Sequence, residues 1–108
     1  MGDYGVVLVT VDTQETAQAI AEALVQNQLA ACVNLCPIQS VYTWKGELQK
    51  DNEWQLVIKT ALSQFAALET KLKEIHPYEV PEIIALPIVQ GSSAYLHWLD
   101  EQIGGVME

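Results

Sequence analysis

Residues 75–83, IHPYEVPEI, hang His76, Tyr78, Glu79 and Glu82 on a backbone stiffened by Pro77 and Pro81. One imidazole and two carboxylates this close together are a donor set for a borderline divalent metal. No two of them have a dedicated spacing such as H-x-x-x-H, the mark of a built zinc site. Two readings follow. Either the prolines only end a helix and start a strand, with His76 satisfied at the helix C-terminus, or they hold the donors rigid and so lower the ordering cost of binding. His97 and Glu101, four apart on a helical stretch, could chelate but are expected as an exposed pair.

The remaining reactive residues point to little chemistry. Cys32 and Cys36 fall on a strand, about 13 Å apart at ~3.3 Å per residue. That is too far for a disulfide or a shared metal, and each is expected as a small buried hydrophobe. Lys59 lies in the apolar run VIKTAL, either as a desolvated ligand contact or as an edge residue paired with a glutamate. The sequence offers no glycine-rich phosphate loop, no G-x-S-x-G and no assembled Ser/His/Asp order, so an enzyme is not expected.

The elements that position these residues read as β-α-β-β-α-β. YGVVLVTVD (4–12) is a continuous apolar run, expected as a central strand covered on both faces. Asp12 or Thr13 caps a helix over 13–28, whose inner stripe is Ala17, Ile20, Ala21, Leu24 and Val25. A second strand, 30–38, is expected to bend or break at Pro37. Strand character resumes over 40–49, turns around Lys50-Asp51-Asn52 and continues over 53–62. Ser63 caps a second helix with Phe65, Leu68, Leu72 and Ile75 inward, ended by Pro77. A strand over 82–90 and a last helix over 92–103 complete one domain spanning 1–108.

This order predicts an α+β, ferredoxin-like antiparallel sheet with helices on one face and an extra C-terminal helix. The long strands flanking Lys50 carry Tyr42, Trp44 and Trp54, more aromatic surface than two helices cover. A partner subunit is expected over them.

Composition narrows the partners. Fourteen acids face five lysines and no arginine, a formal charge of -9. Nucleic acid is therefore excluded as a natural partner, since its affinity rests on cationic contacts to phosphate. Cations are the natural small partners, although a negative surface more often serves only to keep a protein in solution. No stretch is apolar for the length of a membrane span, and no basic, then apolar leader opens the chain. A cytoplasmic location with reduced thiols is the expectation.

LAACVN (29–34), SVYTWKGEL (40–48), VIKT (57–60), HPYEVPEI (76–83), LP (86–87) and YLHWL (95–99) together resemble the CutA family of divalent-cation tolerance proteins. The resemblance runs in register from the first strand to the last helix. It implies a ferredoxin-like subunit in a homotrimer, cytoplasmic and linked to tolerance of copper and other divalent metals. It implies metal binding rather than catalysis, with no obligatory cofactor and Cu or Zn as candidate ions.

The family's shared polar residues gather in clefts between subunits. Carried over, they are His76, Glu79 and Glu82 as metal candidates and Tyr42, Trp44, Lys59, Tyr78 and Trp98 as cleft residues. This chain has Ile75 where the family's copper-linked histidine pair begins and Val9 where its first-strand cysteine aligns, leaving His76 of that set. The fold also resembles trimeric nitrogen-regulatory signal proteins. The alternative is thus a signalling trimer that binds a small organic effector between Trp44, Tyr78 and Lys59, with metal incidental. An interaction scaffold docking another protein through Trp98 is a further expectation.

Overall fold

Residues 3–104 are described by the computed structural model. Strand β1 (Tyr4–Val11) is followed by helix α1 (Gln14–Gln26), strands β2 (Cys32–Trp44) and β3 (Glu47–Ala61), helix α2 (Phe65–Ile75), strand β4 (Ile83–Pro87) and helix α3 (Ser93–Gln102). A single 3-10 turn, Leu62–Gln64, links β3 to α2. The four strands form one sheet in the order β2-β3-β1-β4, every neighbouring pair antiparallel. This is the ferredoxin-like arrangement with an added C-terminal helix.

The alternation of β1 explains its unbroken apolar sequence. Val7, Val9 and Val11 point to one face and join Leu56 and Ile58 of β3 under Ile20 and Leu24 of α1 and Leu68 and Leu72 of α2. Tyr4 points to the other face, because side chains alternate along a strand. There it meets its cross-strand partner Ala61 and, from α3 and its end, Leu99 and Ile103. Helix α3 thus covers one end of the second face. The middle of that face holds Val6, Leu8, Val57, Ile84 and Leu86, and no helix lies over it among the described residues. Ile84 and Leu86 are each 48 % exposed.

Helix ends follow local chemistry. The Thr13 hydroxyl accepts from the Thr16 amide and caps α1, and the Ser92 hydroxyl accepts from the Tyr95 amide and caps α3. Helix α2 starts differently from the expectation. Ser63 sits inside the 3-10 turn, Gln64 occupies the cap position, and no side chain bonds there. Its other end is as expected: His76, just before Pro77, leaves the helical region at φ -82°, ψ 134°.

The β2–β3 ribbon brings the main corrections. β2 runs through Pro37 without a break, because β2 is an edge strand and needs donors on one side only. The turn is Lys45-Gly46, not Lys50-Asp51-Asn52, whose residues pair with Val41, Ser40 and Gln39 inside the ladder. Lys45 at φ 53° and Gly46 at φ 82° are both left-handed, as a two-residue hairpin whose twist matches its strands requires. Cys32 is half-buried and Cys36 exposed, because both belong to this edge strand rather than to the core. The ribbon lengthens the molecule to 46 × 26 × 21 Å. Its radius of gyration is 14.5 Å, against about 13 Å for a compact chain of this size.

Candidate functional site

Three parts of the chain meet along the ribbon. Thr10 comes from the end of β1, while Ser40, Val41, Tyr42, Trp44 and Glu53 come from the ribbon. The segment after α2 adds Tyr78, Glu79, Val80 and Glu82, and together they enclose a cleft of about 580 Å³. Register explains the shared wall. Glu53 pairs with Ile38 across the ladder, so it faces the same side as Ser40, Tyr42 and Trp44.

His76 anchors the 78–82 segment to the sheet. Its Nε2 lies 2.8 Å from the Thr10 carbonyl oxygen, and its Nδ1 is 3.1 Å from the Tyr78 amide nitrogen. An amide can only donate, so Nδ1 accepts and the ring proton sits on Nε2, donated to Thr10. The neutral ring therefore has no free lone pair. The Tyr78 ring packs edge-on against it with centroids 4.8 Å apart. Pro77, with its fixed φ, carries the chain from one ring to the next.

From there the Tyr78 hydroxyl donates to the Glu53 carboxylate at 2.7 Å. Burial, then this hydrogen bond and the Glu53 charge, hold the Tyr78 phenol well above the ordinary tyrosine range. Glu53 is only 7 % exposed. Its second oxygen has no protein donor among the described residues. On the ribbon, the Tyr42 hydroxyl donates to Asp51. Among the described residues, no lysine or histidine lines the cleft.

The residues singled out from sequence divide into two groups within one chain. Tyr42, Trp44, Tyr78, Glu79 and Glu82 line the cleft. His76 lies behind it as a brace rather than in its wall, with both ring nitrogens engaged. Lys59 sits beside Cys32 and Val6, six residues along β3 from Glu53, roughly 20 Å at 3.3 Å per residue. Trp98 belongs to α3, its ring 5.5 Å from that of Tyr95, and lines no part of the cleft. His97 and Glu101 form the exposed i, i+4 pair expected of them, at 3.3 Å.

Among the described residues, no three His, Cys, Asp or Glu side chains converge into a metal-holding group. His76, Glu79 and Glu82 are thus close in sequence without forming a joint ligand set in one chain. Glu53, Thr10 and Ser40 are the polar residues that sequence reasoning missed. Placing the turn at Lys45-Gly46 would have revealed Glu53, because that register puts it mid-strand on the face of Tyr42.

The family model for the CutA1 divalent ion tolerance protein matches residues 5–102. The divalent-cation tolerance protein CutA of Thermus thermophilus is 50 % identical over 100 residues, covering 92 % of this chain and 97 % of that protein. Protein CutA of Mus musculus is 46 % identical over 101 residues, 93 % of this chain but 57 % of the mouse protein. The chain therefore spans little more than half of that relative. The solved structure of the periplasmic divalent cation tolerance protein CutA from Archaeoglobus fulgidus superposes with a TM-score of 0.91 at 35 % identity, over 93 % of this chain and 98 % of that one. By sequence along nearly its whole length and by fold, the chain belongs to the CutA1 divalent ion tolerance family.

Proposed function

We propose that this protein serves divalent-cation tolerance as a cytoplasmic homotrimer that binds cations weakly at the cleft and catalyses nothing. The observation that carries the reading is Glu53, a residue only 7 % exposed whose carboxylate meets a cleft lined, among the described residues, by no positively charged side chain. A carboxylate with little water around it and no counter-charge beside it favours a cation entering the cleft, and the exposed carboxylates of Glu79 and Glu82 add to the attracting field.

Weak binding follows from geometry. The carboxylates line the cleft without converging, so an ion keeps much of its water. An all-oxygen donor set favours harder divalent ions over copper. His76 would join only by giving up its bond from the Tyr78 amide. Lys59 lies outside the cleft of its own chain, so an anionic effector there would draw its positive charge from a neighbouring subunit. The homotrimer is supported by the uncovered apolar face and by the protruding ribbon.

Calorimetric titration with Mn(II), Zn(II) and Cu(II) tests the reading. Glu53→Gln is expected to weaken binding about tenfold, the ~1.4 kcal/mol scale of one lost charge contact. Equal affinities in wild type and Glu53→Gln would overturn it.

A further inference from the structure

The cleft presents more aromatic surface than a hydrated metal ion can use. Tyr42, Trp44 and Tyr78 line it beside Glu53, Glu79 and Glu82. Its volume, about 580 Å³, falls in the range of small-molecule sites. The hydroxyls of Tyr42 and Tyr78 are tied to Asp51 and Glu53, which fixes both rings as wall.

Aromatic faces are negative at the centre and attract cations within about 6 Å, Trp most strongly. The molecule itself displays this attraction. The Lys45 ammonium lies 5.6 Å from the centroid of the Trp44 ring, although Lys45 does not line the cleft. Spread carboxylates suit a point charge poorly, because a metal ion demands donors converging at one centre. A bulky cation with its charge distributed over methyl or methylene groups matches both features. It can rest on aromatic faces while several carboxylates compensate it from a distance.

We propose that the cleft binds an organic ammonium compound, a quaternary or alkylated amine, with Tyr42, Trp44 and Tyr78 as its aromatic wall and the cleft carboxylates, Glu53 among them, balancing its charge. The proposal rests on the reading of the cleft as a cation site and names the ligand class that the aromatic walls add. It extends the protein's ligands from inorganic cations to organic ones.

The test is calorimetric titration of the full chain with choline and with 3,3-dimethyl-1-butanol, its uncharged isostere. Choline is expected to bind at least about tenfold more tightly, since only the cation gains from ring faces and carboxylates. Trp44→Ala is expected to weaken choline about fivefold or more, while Trp44→Phe retains most of the choline affinity. Trp44 is 39 % exposed on the ribbon, and circular dichroism of both variants checks that the ribbon persists. Equal binding of choline and the neutral alcohol, or choline binding indifferent to Trp44→Ala, overturns the proposal. Mn(II) binding without choline binding sinks this inference alone. Mn(II) binding untouched by Glu53→Gln sinks the underlying reading.

Discussion

At the scale of single residues, the site is a relay of hydrogen bonds: Thr10 carbonyl, His76 ring, Tyr78 amide and ring, Tyr78 hydroxyl, Glu53 carboxylate. Each member fixes the next, so the acidic side chain is held in place by a histidine 23 residues away in sequence. Removing the Tyr78 hydroxyl leaves a buried carboxylate short of its donor. Tyr78→Phe is expected to lower stability at neutral pH by about 1.5–3 kcal/mol, the scale of a hydrogen bond to a charged group, measured by urea unfolding. The same variant changes the alkaline limb. The native phenol stays protonated above the ordinary tyrosine value, whereas in the unfolded chain it ionises near pH 10. The unfolded state then binds fewer protons, so stability falls as pH rises past 10. Tyr78→Phe should show a shallower fall above that pH. An unchanged slope would mean that other groups govern the alkaline limb.

At the scale of elements, the ribbon decides how much could be read in advance. Its register depends on Lys45 and Gly46 holding left-handed angles. A Cβ added at Gly46 meets nothing within 4 Å, so Gly46→Ala tests backbone conformation without steric conflict. The expected loss is about 1–2 kcal/mol, the cost of forcing an L-residue into the left-handed region, read as a lower urea midpoint. No change would show that the turn tolerates another geometry. The same ribbon explains the misplaced turn. Gln49, Lys50, Asp51 and Asn52 pair in the ladder beyond the body of the sheet, where Lys50, Asp51 and Asn52 are exposed. With neither face buried, the period-two alternation of apolar residues fades and polar composition imitates a loop. Where one face is buried the signal is clear: the central place of β1, the Thr13 cap and the Leu68–Leu72 stripe were all legible. The cover expected on both faces of β1 is present on one face and at the Tyr4 end of the other. The site was half legible for the same reason. Tyr42, Trp44, Tyr78, Glu79 and Glu82 lie in motifs that mark themselves, whereas Glu53 joins them only through a register that the polar ribbon hides.

At the scale of the whole molecule, the two faces of the sheet are unequal. One face is sealed by α1 and α2. The other is sealed by α3 at one end only, leaving Val6, Leu8, Val57, Ile84 and Leu86 across its middle. Burying an aliphatic side chain fully gains about 1.5–3 kcal/mol over leaving it in water, so a second copy set against this face recovers what the single chain leaves unused. The proposed homotrimer accounts for the face and for the exposed ribbon together, since each protruding ribbon can lie along a neighbour. Sedimentation at micromolar concentration is expected to give three times the mass of the chain. Leu86→Lys places a charge in the middle of the face at a position 48 % exposed in the single chain. It should therefore disrupt assembly while leaving the subunit folded, with smaller species and helical circular dichroism preserved. Its melting temperature should then fall below that of wild type, because association stabilises only the folded state. A wild-type chain that sediments singly, or a Leu86→Lys chain that still assembles in threes, would mean that this face is not where subunits meet.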